Sequence, residues 1–242
     1  MRRNIIATTV GVLLTTPAAA APGVGDLVYP ARIEPHVLEI ETGYGRPTGG
    51  AADAEDVLKL EGEYSLSRRV SGALFITLAR DAGGVRRVEE IGFEGLIALG
   101  RARGVDAAAY VEYAQGVHGP DGAEFKLLLQ RTAGAFDGRL NLIVDKALDG
   151  STTRLGYAAS ADWRIVGDFR AGAAAFGDAG DFNRLLGRNE HYLGPILKTD
   201  LDRLPIPGEL EIEVGYLFAL PGPAQDRTKG QMRLILGWER HF

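Results

Sequence analysis

The sequence predicts an all-β fold, a closed antiparallel transmembrane β-barrel of about 12 strands. Three observations predict it. Apolar and polar residues alternate with period two along most of the chain, in segments of about ten residues. Turn formers separate those segments, with 33 glycines and 11 prolines in 242 residues. The last stretch, Gly230–Phe242, sets Met232, Leu234, Leu236, Trp238 and Phe242 on one face and Arg233, Gly237 and Glu239 on the other. A frayed soluble terminus gains nothing from such an aromatic end.

At the other end, Arg2-Arg3, an apolar run from Ile5 to Leu14 and the small residues Ala18–Ala21 form an n-region, an h-region and a cleavage site. Residues 1–21 are therefore expected to be a signal peptide; the apolar run is too short to cross a hydrocarbon core of ~30 Å. The chain has no Cys, which excludes a cysteine-linked lipid anchor, disulfides and thiolate metal sites. Loss of Arg2 and Arg3 with the signal takes the formal net charge from −5 to −7. With no basic stripe either, the chain is not expected to bind nucleic acid. Residues 22–36 are expected to be a periplasmic lead-in and 37–242 the outer-membrane barrel, a length that one all-β domain can occupy.

The strands follow in order. The first spans Val37–Tyr44. The second, Val57–Leu66, sets Leu58, Leu60, Tyr64 and Leu66 against Lys59, Glu61 and Glu63. A tight turn leads to Val70–Arg80, with Val70, Leu74, Ile76 and Leu78 on its apolar face, and then to Arg87–Leu99, where Ile91, Phe93, Ile97 and Leu99 oppose Glu90 and Glu94. Val105–Gln115 sets Val111 and Tyr113 against Asp106 and Glu112; Ala123–Thr132 sets Phe125, Leu127 and Leu129 against Glu124, Lys126 and Gln130. Phe136–Leu148 sets Leu140, Leu142 and Val144 against Arg139, Asn141 and Asp145, and Asp149-Gly150 is a hairpin signal. Thr153–Trp163 carries Leu155, Tyr157 and Trp163 outward and Arg154, Ser160 and Asp162 inward; Ile165–Phe176 carries Ile165 and Phe169 outward and Asp168 and Arg170 inward. Residues 177–189 have no clear period, and Phe182–Leu186 is expected as a helical turn. The tenth strand, Glu190–Thr199, is the weakest because Pro195 removes a ladder donor. The eleventh, Glu209–Leu220, sets Leu210, Ile212, Val214, Tyr216 and Phe218 against Glu209, Glu211 and Glu213, and Gly230–Phe242 completes twelve.

An even count suits a single-chain barrel with both termini on one side. The connections after strands 1, 3, 5, 9 and 11 are longer and rich in Gly and Pro, and those after 2, 4, 6 and 8 are short, the loop asymmetry of outer-membrane barrels. The connections after strands 7 and 10 break that pattern.

Ionised side chains are costly in hydrocarbon, so the polar face is expected to line the lumen. The lumen-lining candidates are Lys59, Glu61, Glu63, Glu90, Glu94, Glu112, Glu124, Lys126, Arg139, Arg154, Arg170, Glu211, Glu213 and Arg233. They read either as a polar channel screening small solutes, with a mild cation preference, or as an ion-pair network filling a structural barrel. Tyr64, Tyr113, Tyr157, Trp163, Tyr216 and Trp238 fall on the apolar face, mostly near strand ends, as lipid-facing aromatic girdles do. A soluble lipocalin-like ligand-binding barrel, with charges outward, is the competing class.

Catalysis is not expected. The four histidines, His36, His118, His191 and His241, sit in end segments, a loop and one strand start. A hydrolase would need a Ser near one of them and an orienting acid; Ser151 and Ser160 qualify only by elimination. No metal-ligand pair appears at helical or strand spacing, Asp178-Ala179-Gly180-Asp181 lacks the EF-hand ligand sequence, and no cofactor is expected.

From Val37 to Phe242, the strand count, the terminal Phe242 with Trp238 and the Glu-rich inner face resemble the outer-membrane transporter barrels of proteobacteria, including the group associated with aromatic-degradation pathways. That resemblance implies an exported barrel in outer-membrane lipid, inserted by the barrel-assembly machinery through a closing-strand signal comprising Trp238 and Phe242. Arg240 departs from it, because it takes an outward position where an aromatic is usual. The resemblance names no solute, and a non-conducting structural or adhesive protein shares the same features.

Overall fold

The computed structural model describes residues 22–150, 153–181, 184–185, 189–201 and 206–242. Twelve long strands form one sheet: β1 Val37–Thr48, β2 Asp56–Ser67, β3 Val70–Arg80, β4 Arg87–Ala102, β5 Val105–Gly116, β6 Gly122–Ala133, β7 Phe136–Ala147, β8 Thr153–Val166, β9 Phe169–Asp181, β10 His191–Asp200, β11 Glu209–Ala219 and β12 Gly230–His241. Every strand pairs antiparallel with its neighbours in sequence, and β12 returns to β1 with His241 opposite Val37 and Gly230 opposite Thr48. Closure leaves no unpaired edge, which a membrane-spanning sheet requires.

Alternation along each strand gives the barrel an apolar outside. Leu74 is 71 % exposed, Phe93 57 % and Phe218 54 %, whereas Glu61, Glu94, Lys126, Glu213 and Arg233 are buried inside. This is the inverse of a soluble lipocalin-like barrel, and it removes that alternative. Tyr64, Trp163 and Trp238 ring the rim that carries the termini, and Tyr113, Tyr157 and Tyr216 lie toward the far rim. Over the far rim the loop after β1 and a short helix α1, Pro223–Arg227, fold together, joined by an Arg227–Glu55 ion pair of 2.8 Å.

One local expectation needs correction. The β8–β9 turn lies at Gly167-Asp168, not near Arg164, because outward alternation continues through Trp163 and Ile165 until Gly167 supplies a positive φ of 55°. Strand β10 forms where expected and is weakened where expected: Pro195 faces outward, and the ladder to β11 is interrupted between Leu193↔Phe218 and Ile196↔Gly215, while Pro195 still lies opposite Ala173 of β9. The expected helical turn at Phe182–Leu186 falls largely outside the described residues, and Arg184–Leu185 pairs with β9 as a two-residue strand. The expected signal peptide, residues 1–21, also lies outside them.

The largest difference is the lead-in. Expected in the periplasm, residues 22–36 run inside the lumen from the far half of the barrel to the rim of the termini. Val24, Leu27, Tyr29, Ala31 and Ile33 are each at most 8 % exposed. From Leu27 to Ile33 the buried positions recur at every second residue, so the segment behaves as a short strand packed against the inner wall. Strand β1 makes room for it with inward-facing glycines: a Cβ on Gly45 would stand 2.3 Å from the Gly25 nitrogen, and one on Gly43 2.7 Å from the Gly25 carbonyl oxygen. His36, with φ of 62°, turns the corner into β1, and its carbonyl accepts from the Phe242 N–H at 2.9 Å.

Candidate functional site

Two polar groups and a cavity stand out in the lumen among the described residues. The first group surrounds Tyr29 of the lead-in. Lys59 of β2 lies 3.2 Å from Glu61, 3.3 Å from Glu94 and 3.7 Å from Glu112. The Tyr29 hydroxyl donates to Glu61 at 3.0 Å and accepts from the Lys59 ammonium at 2.8 Å. The Tyr110 hydroxyl shares its one proton between two acceptors, Glu94 at 2.6 Å and Glu112. Lys126 pairs with Glu124 at 2.9 Å and stands over the rings of Tyr29 and Tyr110, 4.3 and 4.2 Å from their centroids. Residues two apart on neighbouring strands converge here because all of them point inward.

The second group joins β8 to β12. Glu213 accepts from Arg233 at 2.8 Å and pairs with Lys198 at 3.0 Å; Lys198 also reaches Asp162 at 3.5 Å, and Asp162 pairs with Arg170. Arg139 pairs with Asp137 at 3.0 Å. Arg233 lies 4.7 Å from the Phe176 ring centroid.

Between these groups a cavity of about 440 Å³ lies at the end of the lumen that carries the termini. Thirteen acidic and five basic residues line it. Glutamates face one another across strand pairs, with Glu39 opposite both Glu63 and Glu239, and Glu41 opposite Glu61; Arg139, Arg164, Arg170 and Lys198 line it from β7 to β10. Beyond the cavity, Tyr192, Phe176, Ile196 and Leu217, each at most 1 % exposed, pack with Val24 in the far half of the lumen.

Of the residues singled out by sequence, Glu61, Glu63, Arg139, Arg170, Glu211 and Glu213 line the cavity. Lys59, Glu94, Glu112, Glu124 and Lys126 form the Tyr29 group, and Arg233 joins the second. Two stand apart: Arg154 pairs with Asp145 at 2.6 Å near the far rim with its side chain 52 % exposed, and Glu90 is half-buried opposite Gly116. Trp238 donates to the Pro207 carbonyl at 2.9 Å, and Phe242 is 69 % exposed. Glu39, Glu41 and Lys198 were missing from the candidates, although period two counted from Val37 places both glutamates inward. Gln130 and Asn141 fell on the inward face but carry no charge, so nothing marked them as special.

Ser151 lies outside the described residues. The Ser160 hydroxyl is buried without a hydrogen-bond partner, so no histidine activates it there. His191 meets Tyr157 at 3.2 Å, and Asp178 caps its own strand by accepting from the Gly180 N–H at 2.6 Å.

No protein-family model matches the chain, and no curated protein sequence does. Solved structures do. The chain is similar to the KdgM porin, with a TM-score of 0.55 at 11 % identity over 84 % of this chain and 99 % of that one. It is similar to the NanC porin, with a TM-score of 0.53 at 13 % identity over 85 % and 99 %. It is similar to an outer-membrane channel from Pseudomonas putida F1, with a TM-score of 0.54 at 12 % identity over 93 % and 100 %. At such identities the likeness is one of fold: the chain has the architecture of twelve-stranded outer-membrane porin and channel barrels.

Proposed function

We propose that the protein is an outer-membrane channel for small polar solutes, with cations favoured. The observation that carries this reading is the charged cavity of about 440 Å³ inside an apolar-sided barrel. A barrel needing only to be filled has no use for thirteen acidic residues against five basic ones around an open cavity, because ion pairing inside the wall leaves most of the acids over. Three further parts belong to the reading. The chain is exported by a cleaved signal comprising residues 1–21, sits in outer-membrane lipid, and is inserted by the barrel-assembly machinery through Trp238 and Phe242. Discrete, cation-selective steps in planar bilayers from refolded protein are the expected result; silent bilayers from protein verified as folded contradict it.

One observation favours a second reading, a non-conducting structural barrel: the lead-in and the apolar cluster around Val24 occupy the far half of the lumen. On the channel reading that cluster must open, which the same recordings decide.

A further inference from the structure

The lead-in is held in an uncommon way. The barrel strands already pair their own main chains, so the wall grips the lead-in with side chains, and they grip its main chain. Asn141, fully buried, accepts from the Tyr29 N–H at 2.8 Å and donates to the Tyr29 carbonyl at 3.0 Å. Gln130 accepts from the Ala31 N–H at 3.1 Å, and Arg139 donates to the Val28 carbonyl at 3.3 Å. One carboxylate orders both of these side chains: Asp137 accepts from Gln130 at 3.0 Å and from Arg139 at 3.0 Å. With its amide nitrogen held by Asp137, Gln130 must turn its oxygen to the ligand strand.

In an extended chain, residues two apart present their N–H groups to the same side. Asn141 and Gln130 read that repeat at Tyr29 and Ala31, which is strand addition performed by side chains instead of a sheet edge. Of the buried side chains in this stretch, Tyr29 is the one whose polar end is read, by Glu61 and Lys59; the half-exposed Arg32 pairs with Asp106 at 2.6 Å. Both Ile33 and Tyr29 also line the cavity, so one flank of the seated strand is open.

We infer that the lumen contains a binding site for an extended peptide main chain, with a pocket for a phenolic side chain, and that the lead-in is its tethered occupant. The ligand class is an unstructured peptide carrying a tyrosine. That such a peptide also crosses the barrel rests on the channel reading; that it binds does not.

The test uses full-length protein and a fluorescein-labelled peptide with the sequence of residues 24–34. The tether gives the native occupant a local concentration on the order of millimolar, so Tyr29→Ala weakens the occupant in the protein while the peptide keeps its tyrosine. Anisotropy should show saturable binding to Tyr29→Ala. The same peptide N-methylated at the positions of Tyr29 and Ala31 loses both donated bonds, and should bind about tenfold or more weakly. Equal binding of the two peptides, or no binding to protein shown folded by heat-modifiable migration, overturns the inference. If Tyr29→Ala does not fold, the same pair of peptides is compared on the native chain at millimolar concentration, with the same criterion. Bilayer recordings separate the claims: peptide binding by a silent barrel removes the channel and leaves the site, and conduction without peptide binding does the reverse.

Discussion

Replacing Gly45 with valine should release the lead-in. The inward position of Gly45 would bring the new Cβ to 2.3 Å from the Gly25 nitrogen and 2.8 Å from the Val24 carbonyl carbon. Both are backbone atoms, so no rotamer change relieves the overlap. The lead-in is finely balanced against such a push. Burying Val24, Leu27, Tyr29 and Ile33 stabilises it by roughly 6–12 kcal/mol at ~1.5–3 each. Five side-chain-to-backbone bonds, the fifth from Gln231 to the Pro22 carbonyl at 2.8 Å, add about 5 kcal/mol. Ordering about twelve residues opposes this by a comparable amount, roughly 12–24 kcal/mol. Displacing only the far end forfeits the burial of Val24 and the Gln231 bond, about 3 kcal/mol, or a ~100-fold rise in the released population. The chain has no cysteine of its own, so Val24→Cys is a clean reporter at a position 4 % exposed. A thiol reagent should label it about 100-fold faster when Gly45→Val is also present. An unchanged labelling rate in a folded barrel would refute the packing argument, as would a Val24→Cys thiol that already reacts like an exposed one in the Gly45 background.

Three other perturbations follow from the same geometry. Leu74→Arg puts a charge on the outer face at a residue 71 % exposed; refolding in lipid should lose ~2–4 kcal/mol if the site lies near the bilayer midplane, and a negligible loss would contradict the sidedness. Glu211→Gln with Asp168→Asn removes two acids from the cavity wall and should reduce cation selectivity, read as a smaller reversal potential in a salt gradient, without loss of heat-modifiable protein. Phe242→Ala removes a side chain that is 69 % exposed and has little internal packing, so refolding in detergent should be near normal while insertion in cells falls; full insertion in cells would remove the proposed role of the closing aromatic.

The barrel was legible because period two is a purely local signal. Leu210 to Phe218 and Leu58 to Leu66 state which face is which without reference to any other strand, and the turns between them carry their own glycines. Pro195 and the Gly167 turn show the limit of local reading. The cost of a missing donor depends on which neighbour it faces, and a turn is placed by where alternation stops rather than by the mean spacing. The lead-in was illegible for a different reason. Leu27, Tyr29, Ala31 and Ile33 alternate, but in a stretch carrying three prolines that reads as a linker, and its partners lie far away in sequence, at Asn141, Gln130 and Gln231. The matching signal was on β1, where Gly43 and Gly45 stand at inward positions that elsewhere carry side chains. For the same reason the charged candidates were found one by one, while their grouping around Tyr29 was not, since the residue at the centre of the group belongs to the lead-in.

If the barrel is a polar channel whose lumen the lead-in occupies, paired single-channel recordings of the native chain and Gly45→Val must differ. Cation-selective steps should be larger or more often open in Gly45→Val than in the native protein. Equal conductance and open time in both, or silence from both when each is folded, would contradict that reading.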